Sequence, residues 1–126
     1  MSLVNRIPIG KESPDVINCI IEIPKDTNAK YEYDEDLDIF RLNRCLYSSM
    51  RYTSSYGFIP QTFALDNDPL DIVDLSEVSV ECGSVIEVKP LAVYAMIDEG
   101  EGARCRVVVS ARPPLPADAR CVWTCA

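Results

Sequence analysis

The densest group of residues that could do chemistry is a short acidic turn. Asp66, Asp68 and Asp71 fall within the six residues DNDPLD at positions 66–71. Carboxylates at the two ends of such a turn can converge on a hard cation such as Mg²⁺, which prefers oxygen ligands and keeps several waters. Two alternatives stay open. An EF-hand calcium loop would need Gly where Asp71 stands, and a plain acidic turn would simply face the solvent.

Other polar residues of useful chemistry are spread along the chain. Lys30 and Glu32 are two residues apart, so in a strand they share one face. Glu22 interrupts an apolar run, and alternation places it on the same face as Ile20, where solvent exposure is the ordinary expectation. The remaining candidates are Arg44, Tyr56 and Asp98. Each of them alone has an ordinary surface explanation.

Composition limits the chemistry that these residues can perform. The 126 residues have a formal net charge of −8 and contain no histidine. The absence of histidine excludes histidine-activated nucleophiles and most zinc enzyme sites. The negative charge disfavours nucleic-acid binding but suits cation capture. No apolar run is long enough for a membrane span and no signal peptide is visible, so we expect a cytoplasmic protein with no membrane partner.

The sequence pattern predicts short strands as the elements that position these residues. The strongest predictions are strands at 17–23, 39–46, 56–59, 70–80 and 85–97, with a hairpin tip at Asp34-Glu35-Asp36 and a turn at Cys82-Gly83-Ser84. No helical stripe of ten residues occurs in 14–97. Several short strands separated by turn signals predict a mainly β barrel or sandwich.

The composition changes near residue 103. Residues 1–102 carry a net charge of −11, whereas residues 103–126 carry +3 and include three of the nine prolines and three of the six cysteines. We therefore expect a barrel domain at 1–102 and an atypical basic tail, rich in Pro and Cys, at 103–126. The cysteines are expected to be reduced thiols, because nothing indicates an oxidising compartment.

The order of the candidate residues resembles the soluble family I inorganic pyrophosphatases. The D-x-D-P-x-D stretch at 66–71 is the family signature, and the phrases IEIP at 21–24, KYE at 30–32 and SYGFIP at 55–60 are similar to the family too. The resemblance covers about residues 3–102. It implies a five-stranded OB-like barrel with flanking helices, dependence on Mg²⁺, pyrophosphate as substrate and a homo-oligomer.

The resemblance also implies a role for each candidate. Asp68 resembles the carboxylate that accepts a proton from the metal-bound attacking water. Lys30, Arg44 and Tyr56 resemble the groups that hold phosphate oxygens. The implied Mg²⁺ ligands are Asp66, Asp71, Asp98, Glu22 and Glu32. Pyrophosphate is strongly anionic. The implied Mg²⁺ ions and phosphate-binding residues would neutralise its charge and position it without any histidine.

The chain departs from the family pattern after Asp98. The family has an acid and a lysine in a D-x-K arrangement, and those positions fall on Ala103 and Cys105, with Arg104 or Arg106 as possible replacements for the lysine. A later Tyr-Lys pair and the C-terminal helix are also expected to be missing. Two functions follow as expectations: pyrophosphate hydrolysis, impaired by these losses, or an inactive barrel that binds metal or phosphate or serves as an interaction subunit.

Overall fold

The computed structural model describes residues 2–63, 68–76, 79–98 and 102–111, with backbone alone for 96–98, 102–105 and 111. Within this described part of the chain, one short helix precedes seven strands. The elements are α1 Leu3–Arg6, β1 Ile17–Ile23, β2 Ala29–Asp34, β3 Ile39–Cys45, β4 Ser55–Phe58, β5 Asp71–Asp74, β6 Val85–Asp98 and β7 Gly102–Ala111. In these ranges no helix has the length and hydropathy that a membrane span needs.

Five strands close into a barrel in the order β1-β4-β5-β7-β6, while β2 and β3 form a separate hairpin. The β5–β7 pair is parallel, and the other barrel pairs are antiparallel. The predicted mainly β fold and the five-stranded barrel are therefore confirmed. Closure leaves no unpaired barrel edge that could template aggregation.

Side-chain alternation gives the barrel an inner and an outer face. On β1, Ile17, Cys19 and Ile21 belong to the interior cluster. The partners of these three side chains in the interior include Ile59, Ile72, Val88, Val107 and Val109. Full burial of aliphatic side chains such as these stabilises the fold by about 1.5–3 kcal/mol each.

The outer face of β1 and β4 is covered as well. Ile20 and Phe58 pack there with Val4 of α1 in a second cluster, against which Tyr33 and Phe40 of the β2–β3 hairpin also pack. The Tyr33 ring lies 5.3 Å from the Phe58 ring and 5.2 Å from the Phe40 ring, measured between centroids. The hairpin is thus docked on the barrel through aromatic contacts.

Hydrogen bonds to Tyr33 complete this docking. Its phenol oxygen accepts a bond from the Leu3 backbone N–H at 2.8 Å and donates to Asp38 Oδ1 at 2.6 Å. Asp38, in the hairpin turn, has φ +54° and forms an ion pair with Arg6 at 3.6 Å. The helix, the hairpin turn and the barrel face therefore meet at one tyrosine.

Most predicted strands match the observed ones within a residue or two, but the 70–80 prediction was too long. Strand β5 ends at Asp74, whose side chain is 1% exposed. Its Oδ1 accepts hydrogen bonds from both the backbone N–H and the hydroxyl of Ser76. This local side-chain-to-backbone turn competes with the β-ladder and ends the strand.

Strand β7 lies across the composition change at residue 103. It begins at Gly102 and runs to Ala111 between β5 and β6, with Val107 and Val109 buried in the barrel interior. The basic segment predicted to be a tail therefore includes a barrel strand. Residues 112–126, where the family's C-terminal helix was expected to be missing, lie outside the described residues.

Candidate functional site

A polar cleft of about 440 Å³ opens between the β2–β3 hairpin and the outer face of the barrel. Six of the nine predicted site residues line it. These are Glu22, Lys30, Glu32, Tyr56, Asp68 and Asp71. The cleft therefore brings residues that are up to 49 positions apart in the sequence into one place.

The barrel wall of the cleft is built by strand register. Phe58 of β4 pairs with Asp71 of β5, and Asp71 pairs with Arg106 of β7, so these three side chains form one row across the outer face. The register of the β1–β4 pair shifts between Ile21 and Ile23, at the position of Glu22. The irregularity places a carboxylate beside this row.

The hairpin wall contributes an ion pair. Lys30 Nζ lies 3.5 Å from Glu32 Oε1, with the side chains 32% and 52% exposed. The two-residue spacing on β2 thus places both groups on one face, as the sequence predicts. An exposed pair of this kind adds less than about 1 kcal/mol to stability, so its position at the cleft is of more consequence than its strength.

Glu22 is an acid of the cleft whose pKa is strongly shifted. Burial is the main cause that raises the pKa of Glu22 to about 7. The hydrogen bond that its Oε2 accepts from the Tyr33 N–H at 2.9 Å acts in the opposite direction. The negative charges of three neighbouring carboxylates raise the pKa further, in the order Asp71, Glu32 and Asp68. The cleft thus holds more negative charge than it can solvate well.

The charged residues that line the cleft are suited to a divalent cation. The lining includes five carboxylates and two cationic side chains. Within the described ranges, no three acids or thiols come close enough together to form a metal site on their own. Mg²⁺ is usually held by one or two carboxylates together with substrate phosphates and water, so the separated oxygen donors of this cleft suit it.

Arg106 is the cleft residue that the sequence indicated least. The sequence offers it only as a possible replacement for the family's lysine. Its side chain lines the cleft and lies over the Tyr56 ring, with 5.5 Å between the guanidinium carbon and the ring centroid. The available signal was the alternation of Arg106 with Val107 and Val109, which predicts opposite faces for the arginine and the valines.

Three predicted site residues are not among the described lining. Asp66 lies outside the described residues, and Asp98 is described only as the last backbone residue of β6. Arg44 is exposed and lies directly opposite Lys30 in the β2–β3 ladder. Burial raises the pKa of the nearby Tyr52, and the charge of Arg44 acts in the opposite direction. The Tyr52 ring in turn contacts Tyr56 edge-on at 5.3 Å, so Arg44 acts on the border of the cleft.

Comparison with known proteins points to one family. The family model described as inorganic pyrophosphatase matches residues 19–119. The inorganic pyrophosphatase of Saccharolobus solfataricus is 48% identical over 103 residues, which is 82% of this chain and 59% of the relative. That of Aeropyrum pernix is 47% identical over 103 residues, 82% of this chain and 58% of the relative.

Solved structures give the same result. The crystal structure of the Thermus thermophilus inorganic pyrophosphatase superposes with a TM-score of 0.83 at 38% identity, covering 88% of this chain and 63% of that one. The Coxiella burnetii enzyme gives a TM-score of 0.76 at 40% identity, covering 83% and 62%. The present chain thus spans somewhat under two thirds of the length of each of these four relatives.

Proposed function

Because the chain belongs to the inorganic pyrophosphatase family, we propose that its cleft hydrolyses inorganic pyrophosphate to two phosphates with the help of Mg²⁺. The observation that carries the proposal is the convergence of Glu22, Lys30, Glu32, Tyr56, Asp68 and Asp71 on one cleft. An anionic substrate is repelled by such an acidic cleft unless cations compensate the negative charge. Bound Mg²⁺ would provide that positive charge and would lower the pKa of the attacking water.

The chain's own residues would bind and orient the substrate. Lys30 on the hairpin and Tyr56 on the barrel lie on the two walls of the cleft, where each can donate a hydrogen bond to a phosphate oxygen. Arg44 adds positive charge at the border. Holding both phosphoryl groups in this way supplies the positioning that dominates phosphoryl-transfer catalysis.

Asp68 is proposed as the proton acceptor. Asp68 is exposed in the cleft and stands within the acidic turn, three residues before Asp71 of β5. A carboxylate that water can reach can take a proton from the attacking water. Glu22, Glu32, Asp66, Asp71 and Asp98 are proposed as the oxygen ligands of Mg²⁺.

Asp68→Asn tests this assignment. Phosphate release from pyrophosphate at millimolar Mg²⁺ should fall by roughly 10²- to 10⁴-fold, because the amide cannot accept the proton. Asp36→Asn is the matched control, since Asp36 is exposed in the hairpin turn away from the cleft lining. Unchanged release by Asp68→Asn would remove Asp68 from the proton-transfer role.

The turnover is expected to be impaired by the departures after Asp98. Ala103 and Cys105 supply neither the carboxylate nor the ammonium group of the family's D-x-K pattern. The double variant Ala103→Asp/Cys105→Lys should therefore raise phosphate release by about tenfold or more, since loss of even a residue that orients a metal ligand typically costs about 10- to 100-fold. Equal or slower release by the double variant, with Mg²⁺ saturating, would contradict this expectation.

The protein is further proposed to form a homo-oligomer and to act in the cytoplasm. Several large apolar side chains are exposed on its surface, including Leu42, Tyr47 and Met50 at 56%, 89% and 63%. Such side chains are suited to contacts between copies. Light scattering on a sizing column should give a multiple of 14.1 kDa, and a monomer mass at micromolar concentration would contradict the proposal.

A further inference from the structure

The turn of the β2–β3 hairpin holds an aspartate in a backbone conformation that glycine adopts more easily. Asp38 has φ +54°, in the left-handed region that a Cβ disfavours. Its Oδ1 accepts hydrogen bonds from the Tyr33 hydroxyl at 2.6 Å and from the Leu3 N–H at 3.3 Å. Its Oδ2 lies 3.6 Å from Arg6 Nη2. The aspartate side chain therefore makes contacts at this position that glycine could not make.

The short helix that Asp38 contacts is itself fixed to the barrel. Val4 of α1 is buried against Ile20 and Phe58. The Val4 carbonyl accepts a hydrogen bond from the Gln61 N–H at 2.8 Å. Because α1 has only four residues, its own hydrogen bonds add little stability and the barrel holds it in place. Asp38 thus joins the hairpin turn to a support outside the hairpin.

Tyr33 connects this joint to the cleft. Its hydroxyl donates to Asp38, while its backbone N–H donates to Glu22 Oε2 at 2.9 Å. The tyrosine side chain has only two χ angles, so fixing its hydroxyl also limits the movement of its backbone. Tyr33 and Glu22 both line the cleft, and β2 brings Lys30 and Glu32 to the same wall.

We propose that Asp38 is a positioning residue that sets the hairpin wall of the cleft by holding Tyr33 against α1. The inference rests on the proposed function for what the cleft binds, a diphosphate with Mg²⁺. Asp38 is not among the described residues that line the cleft, so it acts through Tyr33 and not on the ligand. A hydrogen bond from a phenol to an ionised carboxylate is about twice as strong as one between neutral groups. This bond is the main cause that lowers the pKa of Asp38.

A role confined to the turn predicts a different result from a positioning role. Asp38→Gly suits the left-handed backbone but removes the acceptor for Tyr33 and Leu3 and the partner of Arg6. If Asp38 only forms the turn, glycine should serve as well, since it adopts positive φ without a steric penalty. If Asp38 positions the hairpin, the turn should form while the cleft loses affinity.

The experiment is calorimetric titration with methylenediphosphonate, a diphosphate analogue that cannot be hydrolysed, at saturating Mg²⁺. Asp38→Gly should bind it about 3- to 30-fold more weakly than the parent, the range for residues that influence a site without touching the ligand. Asp38→Asn should bind more tightly than Asp38→Gly and close to the parent. Its amide oxygen still accepts the bond from Tyr33, and asparagine tolerates positive φ.

The matched control is Asp26→Gly. Asp26 is exposed, has φ +67° and is not among the described residues that line the cleft. Its backbone N–H donates to the Tyr52 carbonyl and its own carbonyl accepts from Arg51, and glycine keeps both bonds. The control therefore makes the same substitution in the same backbone conformation, and its affinity for the analogue should equal that of the parent.

Hydrogen exchange at the Tyr33 amide gives a second readout that needs no ligand. This amide is the donor to Glu22, so its exchange reports directly on the bond between the hairpin and the barrel. We expect faster exchange in Asp38→Gly and parent-like exchange in Asp26→Gly. A role confined to the turn would leave this amide equally protected in both variants.

The outcomes separate this inference from the proposed function. Weaker binding by Asp38→Gly alone, with faster exchange at Tyr33, supports the inference, even where the parent releases no phosphate and the hydrolytic function fails. Parent-like affinity of Asp38→Gly overturns the inference, as does equal weakening by Asp26→Gly. An affinity of Asp38→Asn as low as that of Asp38→Gly overturns the route through Tyr33. Failure of the parent to bind the analogue overturns both the inference and the proposed function.

Discussion

Glu22 illustrates how a single residue acquires unusual chemistry from its surroundings. Alternation along β1 correctly places it on the face that carries Ile20. The ordinary expectation, a solvent-facing carboxylate, is wrong because the hairpin that follows covers this face and Tyr33 donates its N–H to Glu22. No local pattern at residues 17–23 contains that information, since the covering residues come from a later element.

The raised pKa of Glu22 predicts a pH dependence of stability. In the folded protein the pKa is about 7, above the ordinary value of 4.5, so between these values the folded state binds more protons than the unfolded state. Stability should therefore fall as the pH rises from 4.5 to 7, by up to about 1.4 kcal/mol per pH unit from this group. Glu22→Gln should remove this contribution and be more stable than the parent at pH 7.5.

Thermal unfolding in EDTA between pH 4.5 and 7.5 measures the effect, and the comparison of parent with Glu22→Gln isolates it from other groups. Mg²⁺ added to the parent at pH 7.5 should restore stability, because a cation relieves the repulsion among the cleft carboxylates. Identical pH profiles for the two proteins would show that Glu22 is not buried in the cleft.

The hairpin is the element on which the cleft depends, because it carries Lys30 and Glu32. The sequence predicts its strands and its turn, but not where it packs. That is decided by the contacts of Tyr33 with Phe58 and Leu3, which lie 25 and 30 residues away along the chain. Its hydrogen bond to Asp38 then fixes the hairpin turn. Long-range docking of this kind leaves no periodic signal in the hairpin itself.

Tyr33→Phe should loosen the hairpin without unfolding the barrel. The variant keeps the ring contacts but loses the hydrogen bonds to Leu3 and Asp38, at a cost of about 1–2 kcal/mol. Hydrogen exchange should become faster at the β2 and β3 amides, and the KM for pyrophosphate should rise because Lys30 is less well held. Tyr47→Phe, at an 89% exposed tyrosine, is the control. Equal exchange rates in both variants would contradict the docking role.

The β1–β4 pair is a second element whose geometry is demanding. Gly57 lies opposite Ile21, and a Cβ at this position would overlap the backbone carbonyl of Ile20. Gly57→Ala should therefore separate the two strands that carry Glu22 and Tyr56 and lower the free energy of unfolding by several kcal/mol. Urea unfolding measures this, and a midpoint within experimental error of the parent's would contradict the observed strand spacing.

At the scale of the whole molecule, the sequence predicts most of the barrel strands but not β7, the strand that closes the barrel. Strands β1, β3, β4 and β6 follow from runs of apolar and β-branched residues. Strand β7 has a local β signal only in the three valines at 107–109, and the change to basic composition at residue 103 suggests a tail instead. Its membership depends on pairing with both β5 and β6, a non-local property. The same pairing brings Arg106 to the cleft.

If the proposed function is right, the net charge of −8 and the acidic cleft require that the anionic substrate enters together with a cation. The most direct test is ³¹P NMR of pyrophosphate incubated with the chain at millimolar Mg²⁺, beside Asp71→Asn and a sample containing EDTA. We predict that the parent converts the pyrophosphate signal to that of phosphate, while Asp71→Asn and the EDTA sample leave it nearly unchanged. A pyrophosphate signal that persists with the parent, or that Asp71→Asn converts equally fast, would contradict the assignment of this cleft as the hydrolytic site.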